Sequence, residues 1–142
     1  MTLVVVDQGE KSMLESILAV NYTLHLFTND VSAEEAPDAL TEADFTEATF
    51  TGYASKALTG GEWTVTAGDP AVGEYAVQAF VASEDQSPQT VYGYFVTKTA
   101  GGELLWFESF VDDEGDPDPI TIQYNGEAIR VTPRLTLADA QD

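Results

Sequence analysis

Val91-Tyr-Gly-Tyr-Phe-Val-Thr97, the turn Lys98-Thr-Ala-Gly-Gly102, and Glu103-Leu-Leu-Trp-Phe-Glu-Ser-Phe-Val111 decide the fold of this chain. Successive side chains of a strand point to opposite faces. Tyr92, Tyr94 and Val96 then share one face of the first strand, and Val91, Phe95 and Thr97 share the other. Across the turn, Leu104, Trp106 and Phe110 line one face while Leu105, Phe107 and Val111 line the opposite one. Both faces are apolar. Such a hairpin cannot stand with one side in water, so a second layer must cover it, from its own chain or from a neighbour. The pattern points to a β domain built for contact, a scaffold or assembly module.

Upstream, Leu3 to Val6 is a short apolar run that reads as a strand or an extended arm. Asp7-Gln-Gly-Glu10 has the form of a capping box, with the Asp7 carboxylate accepting from the backbone N–H three residues on and Glu10 reaching back. Met13, Leu14, Ile17 and Leu18 follow at helical spacing and predict a helix of about three turns ending near Asn21. Tyr22 to Phe27 is a strand closed by Thr28-Asn-Asp30. Residues 31–44 are acidic and Ala-rich around Pro37, which predicts an exposed loop with room for one helical turn. Thr49–Leu58, Glu62–Ala67 and Tyr75–Ala82 are further strands, punctuated by Gly60-Gly61 and Gly68-Asp69-Pro70.

Downstream, Asp112 to Pro119 is an acidic loop, and Ile120–Tyr124 and Ala128–Val131 flank Asn125-Gly126, the dipeptide favoured in type I′ hairpins. Pro133 interrupts Arg130–Leu137 and marks an edge strand or a bulge. Residues 138–142 form a polar, loose tail. Roughly eight strands at short, even spacing predict a mainly β chain. The expected architecture is a single-domain antiparallel β-sandwich or jelly-roll-like barrel over residues 1–142, with one short N-terminal helix.

Composition narrows the function. With 142 residues, 44% of them hydrophobic, the chain has material for a core and is not of disordered type. Cysteine is absent, so the fold needs neither disulfides nor thiolate metal sites, as in a reducing cytosol. Only Lys11, Lys56, Lys98, Arg130 and Arg134 oppose 25 acidic residues, giving a net charge of −20. Such a surface repels nucleic acid and anionic membranes, so neither is an expected partner. A halophilic or marine source selects the same acidity, so charge speaks to environment as much as to role. The opening Met-Thr-Leu-Val-Val-Val-Asp has no positively charged region, its apolar run stops at Val6, and neither a secretory signal nor a membrane span is expected.

The side chains that carry chemistry are few. His25 is the only histidine and lies in an alternating strand, where Thr23, His25 and Phe27 share a face; no Gly-x-Ser-x-Gly turn accompanies it. It reads as a satisfied or surface histidine, and one histidine among carboxylates makes a poor zinc set. Asp112-Asp-Glu-Gly-Asp-Pro-Asp118 offers clustered oxygens to calcium, but the EF-hand pattern puts Gln123 where its bidentate Glu belongs, so a solvated loop is expected. Glu103 and Glu108 point to opposite faces of a regular strand and cannot pair as a glycosidase needs. Trp63 and Trp106 are candidates for a sugar-stacking platform, although strand aromatics more often pack in a core. No catalytic, cofactor-binding or metal-ligating residue is assigned, and no enzyme activity is expected.

Taken in order, Leu3-Val-Val-Val6 with Gly9-Glu10, Tyr22-Thr-Leu-His-Leu-Phe-Thr-Asn-Asp30, Phe45-Thr-Glu-Ala-Thr-Phe-Thr-Gly-Tyr53, Gln89-Thr-Val-Tyr-Gly-Tyr-Phe95, Leu104-Leu-Trp106 and Thr132-Pro-Arg-Leu-Thr-Leu137 form a series. It resembles small virion-associated proteins of tailed bacteriophages over nearly the whole chain. The motifs are structural and supply no functional residue. Within that group, the length and β content suggest a capsid cement or decoration protein; such proteins commonly trimerise and sit over the joints between capsomers. The resemblance implies a virion structural protein on the capsid exterior, present in the host cytoplasm during assembly. Its partners would be copies of itself, as a trimer, and the major capsid protein. A carbohydrate-binding or host-attachment module of a tail or head fibre is the alternative, and a small hydrolase built on paired carboxylates ranks last.

Two groups are expected at an interface. Leu3, Val4, Val5 and Val6 would be an aggregation hazard if left exposed, which predicts a contact arm or an edge-paired strand over residues 1–6. Arg134, beside Pro133 on an end strand, has the fork geometry to grip a carboxylate of a neighbouring subunit or capsid protein. An intrachain pair with a local acid is the equal alternative.

Overall fold

The computed structural model describes Met1 and residues 3–138; the tail expectation beyond Ala138 lies outside them. The elements run α1 (Asp7–Ile17), β1 (Tyr22–Phe27), β2 (Lys56–Leu58), β3 (Thr64–Thr66), β4 (Ala71–Glu74), β5 (Gln78–Val81), β6 (Gln89–Val91), β7 (Gly93–Lys98), β8 (Leu104–Ser109), β9 (Ile120–Ile122), β10 (Ala128–Val131) and β11 (Arg134–Leu137). Strands hold 36% of the residues and helices 12%, so the chain is mainly β. One α-helix on the N-terminal side and several antiparallel sheets are consistent with a β-sandwich. The residues gather into two compact units.

The first unit comprises Met1–Asn21, Leu58–Gln78 and Thr132–Asp142. Its sheet has the order β11-β4-β3, with β4 antiparallel to both neighbours, so β11 is an edge strand as Pro133 suggested. Helix α1 packs on β4 through Leu14 and Leu18, which are fully buried. Gly73 makes that approach possible, since a Cβ there would fall 2.4 Å from Leu18 Cδ1.

The expected helix face divides: Leu14 and Leu18 point inward, while Met13 and Ile17 are exposed. The helix also stops at Ile17, short of Asn21. Its last groups are taken up by the 60–61 turn, where Gly61 N–H donates to Leu18 O at 3.1 Å and Gly60 N–H donates to Asn21 Oδ1 at 2.9 Å. The Asp7 capping box does not form. Val6 is the N-cap and its carbonyl accepts from Glu10 N–H at 2.9 Å, which leaves Asp7 inside the first turn. There its charge still suits the helix dipole.

The second unit comprises Tyr22–Ala57 and Ala79–Val131. Its main sheet has the order β2-β1-β7-β8, with β1/β7 and β7/β8 antiparallel. Strand β7 is covered on both faces by its own chain: Tyr94 and Val96 are buried on one, Phe95 and Thr97 on the other. Against the Phe95 face pack Phe27, Val31 and Phe45, with Leu40, Tyr92, Leu104 and Phe107 half-buried around them. Phe45 stacks on Phe95 at 5.0 Å and meets Phe27 edge-on at 4.9 Å.

Several expected elements differ. The β7/β8 register shifts between Val96 and Thr97, so Thr97 pairs with Leu104 and Phe95 with Phe107. That bulge moves Leu104 onto the Phe107 face, away from Trp106. The strand also breaks at Tyr92, which turns this ring to the Phe95 cluster instead of the Tyr94 face. Asn125-Gly126 does not close a hairpin: β9 pairs with β6, and β10 pairs with β5. A type I′ turn needs positive φ at both central residues, and of the two only Gly126 has it. Glu127 Oε1 instead accepts from Gln123 N–H at 2.9 Å and Tyr124 N–H at 2.6 Å, fixing a different turn.

Thr49–Leu58 keeps strand only at its end, because Gly52 at φ +100° and the Tyr53 N–H to Phe50 O bond make a turn. Tyr75–Ala82 narrows to β5, and β4 precedes it over Ala71–Glu74, residues the sequence assigned to no strand. The 31–44 loop holds two short 3-10 turns, Pro37–Ala39 and Glu42–Asp44.

Candidate functional site: an open sheet edge

Strand β8 ends the main sheet of the second unit, and no strand lies beyond it among the described residues. Phe110 N–H donates to Tyr92 O at 2.8 Å, which fixes the phase of the ladder. By the alternation of antiparallel strands, the main-chain groups of Glu108 and Trp106 turn toward β7, and those of Phe107 and Ser109 turn outward.

Beside this edge runs an open groove of about 340 Å³, lined by Pro37, Asp38, Leu40 and the Leu104–Phe107 segment of β8. The 3-10 turn sets its far wall: Leu40 reaches into the Phe95 cluster while Asp38 stays exposed on the rim. Leu105 is 38% exposed, and Glu103 and Glu108 are exposed at the two ends of the strand. The sequence missed this feature. Periodicity showed that both hairpin strands were apolar, but which of them is terminal depends on the pairing of β1 with β7.

At the other end of the same face, His25 stacks on Phe95 with ring centroids 4.6 Å apart. Its Nδ1 lies 2.9 Å from Glu47 Oε2 and its Nε2 lies 2.9 Å from Thr97 Oγ1. Tyr53 O–H donates to the same Glu47 oxygen at 2.6 Å and accepts from Leu26 N–H at 3.2 Å. Burial first, and then the Glu47 carboxylate, hold the Tyr53 phenol well above its ordinary range, so it stays protonated. The order hydroxyl, imidazole, carboxylate matches that of a hydrolytic triad. However, Thr97 is only 6% exposed and is paired with Thr23 inside the β1/β7 ladder, so its hydroxyl is not open to a substrate carbonyl. The network satisfies a half-buried histidine, as its strand position suggested, and ties the 47–53 segment to β1.

The remaining candidates sit apart from the groove. Leu3, Val4 and Val6 are exposed, Val5 is half-buried, and none of them belongs to a strand. Arg134 Nη2 lies 3.4 Å from Glu74 Oε2, its partner across β11/β4, so the structure shows the intrachain pair. Trp63 is buried edge-on to Tyr75, and Trp106 packs edge-on to Tyr22. Neither forms a flat, exposed platform.

The carboxylates of Asp112, Glu114 and Asp116 lie within 4.8 Å of one another on the acidic loop and are exposed. Asp112 Oδ1 already accepts from the N–H groups of Glu114 and Asp116, at 2.9 and 3.0 Å, so the loop's own amides account for its shape. No helix among the described residues is long and apolar enough to cross a membrane. No protein-family model, curated protein or solved structure matches the chain.

Proposed function

We propose that this chain is a non-enzymatic structural protein of a virion, a capsid cement or decoration protein that stabilises a phage head from outside. In this reading it acts as a homo-oligomer, a trimer, and grips the major capsid protein. The observation that carries a contact role is the open β8 edge with the groove beside it, a surface suited to a protein segment and bare of nucleophile or buried acid. The phage context comes from the resemblance running from Leu3 to Leu137. The acidic surface fits a shell exterior, where there is no nucleic acid to bind. A fibre module that binds sugars would need exposed ring faces, and the packing of Trp63 and Trp106 argues against it.

The test is immunogold labelling of purified particles from a culture producing the protein, together with sedimentation of the isolated chain. Gold over heads and a sedimenting trimer are expected. Label confined to fibres would support the attachment role instead. Particles without label would overturn the virion assignment, and a 15.3 kDa monomer at micromolar concentration would overturn the trimer.

A further inference from the structure

We infer that the β8 edge binds an extended segment of another protein by strand addition, and that this segment alternates apolar residues between flanking lysines or arginines. The inference rests on the contact role proposed above and names the chemistry of the partner. A sheet edge with outward main-chain groups is a template for an added strand, whose ladder bonds give affinity and whose alternate side chains give specificity. The outward groups of Phe107 and Ser109 supply the ladder. Alternate side chains of the incoming strand fall toward Leu40, Leu104 and Phe107, the apolar side chains of a groove whose lining is otherwise mixed. At about 340 Å³, open along one side, the groove suits a few strand side chains better than an enclosed small molecule.

Charge selects among strands. Asp38 stands on the groove's rim, Glu103 and Glu108 bracket its floor, and none of the five basic residues lines it. A second copy of this chain would bring another net charge of −20 to the same edge. A segment with cationic flanks meets complementary charge at both ends.

The test uses the full chain with Trp63→Phe, so that Trp106 on the groove is the sole indole. The probe is the acetylated, amidated peptide KKVTVTVKK, titrated at low ionic strength while Trp106 fluorescence is followed. Two further peptides serve as controls: EEVTVTVEE, with the flanking charge reversed, and KKVTPTVKK, in which proline removes a central ladder donor. Saturable binding of the first peptide is expected, weakened about ten-fold or more by either change and by added salt. Leu105→Lys, which places a charge on an already exposed position, should abolish binding while circular dichroism shows an intact fold.

Equal binding of the lysine and glutamate peptides, or of the proline peptide, overturns the inference, as does absence of binding at millimolar peptide. Self-association that Leu105→Lys abolishes would also overturn it, in favour of a second copy at the edge. The peptide assay needs no virion. Its failure leaves head labelling to decide the proposed function, and unlabelled heads leave the peptide result standing.

Discussion

Gly93→Ala is the sharpest test of how β7 and β8 are held together. Gly93 is buried at the start of β7, opposite Ser109. A Cβ built there would lie 2.2 Å from the Glu108 carbonyl oxygen and 2.7 Å from Phe27 Cζ. Real Cβ contacts stay beyond 3.0 Å, so both neighbours must withdraw. The carbonyl belongs to the ladder itself, and the Phe27 ring is packed against Phe45, Phe95 and Phe107. Overfilling a packed core costs about 1–3 kcal/mol, and with main chain as one obstacle the upper end applies. For a unit of this size, that corresponds to a fall in Tm on the order of 10 °C.

Phe27→Leu separates the two contacts, because it removes the ring atoms and leaves the carbonyl. The expected double-mutant cycle shows that Gly93→Ala remains costly when Phe27→Leu is already present. Thermal melts by circular dichroism give all four values. A Tm for Gly93→Ala within about 2 °C of wild type would refute the close approach of β8 to β7, since even 1 kcal/mol moves Tm by more than that. Rescue by Phe27→Leu would show that the ring, and not the ladder, is the obstacle.

Tyr53→Phe takes away the acceptor of Leu26 N–H and the donor to Glu47. It should destabilise by about 1–3 kcal/mol in denaturant titration, and a change under about 0.5 kcal/mol would show that water replaces the phenol at no cost. The N–H groups of Tyr124 and Gln123 hold the Glu127 carboxyl below the usual carboxylate range, so its contribution is present above the unfolded-state pKa and is lost as pH falls through the folded-state value. Glu127→Gln, which keeps an acceptor but does not titrate there, should therefore flatten the acid limb of the Tm–pH curve, and an unchanged limb would sink this account. With a net charge of −20, self-repulsion opposes the compact state, and salt screens it over about 8 Å at physiological strength. Tm should rise along a sodium chloride series, and a flat series would remove repulsion as a factor.

What the sequence disclosed was local and periodic. Tyr22–Phe27 alternates so regularly that its strand bounds match those observed, and Pro133 marked an edge strand because it cannot donate to a ladder. Where the reading failed, a distant partner had won. Asn125-Gly126 looked like a hairpin turn, but the Glu127 carboxylate and the pairing of β9 with β6 draw the two arms apart. Met13, Leu14, Ile17 and Leu18 all had the spacing of one helical face. Gly73, far along the chain and lacking a Cβ, admits Leu14 and Leu18, and Met13 and Ile17 stay exposed. His25 was rightly read as satisfied, yet nothing near it in sequence announced Glu47 or Tyr53.

The candidate site shows the same division between composition and partnership. Both hairpin strands are apolar in sequence, but β7 lies between β1 and β8 while, among the described residues, β8 has a neighbour on one side only. An apolar edge of that kind invites its own copies to pair with it. Two features of this chain oppose that outcome. The bulge at Val96/Thr97 interrupts the regular ladder, and Glu103 and Glu108 place like charge where an identical strand would bring its own. The bulge acts on any added strand alike, but the charge does not oppose a strand with cationic ends, which meets Asp38, Glu103 and Glu108 as counter-charges. The carboxylates that keep this edge from pairing with itself are thus the groups that would select its partner.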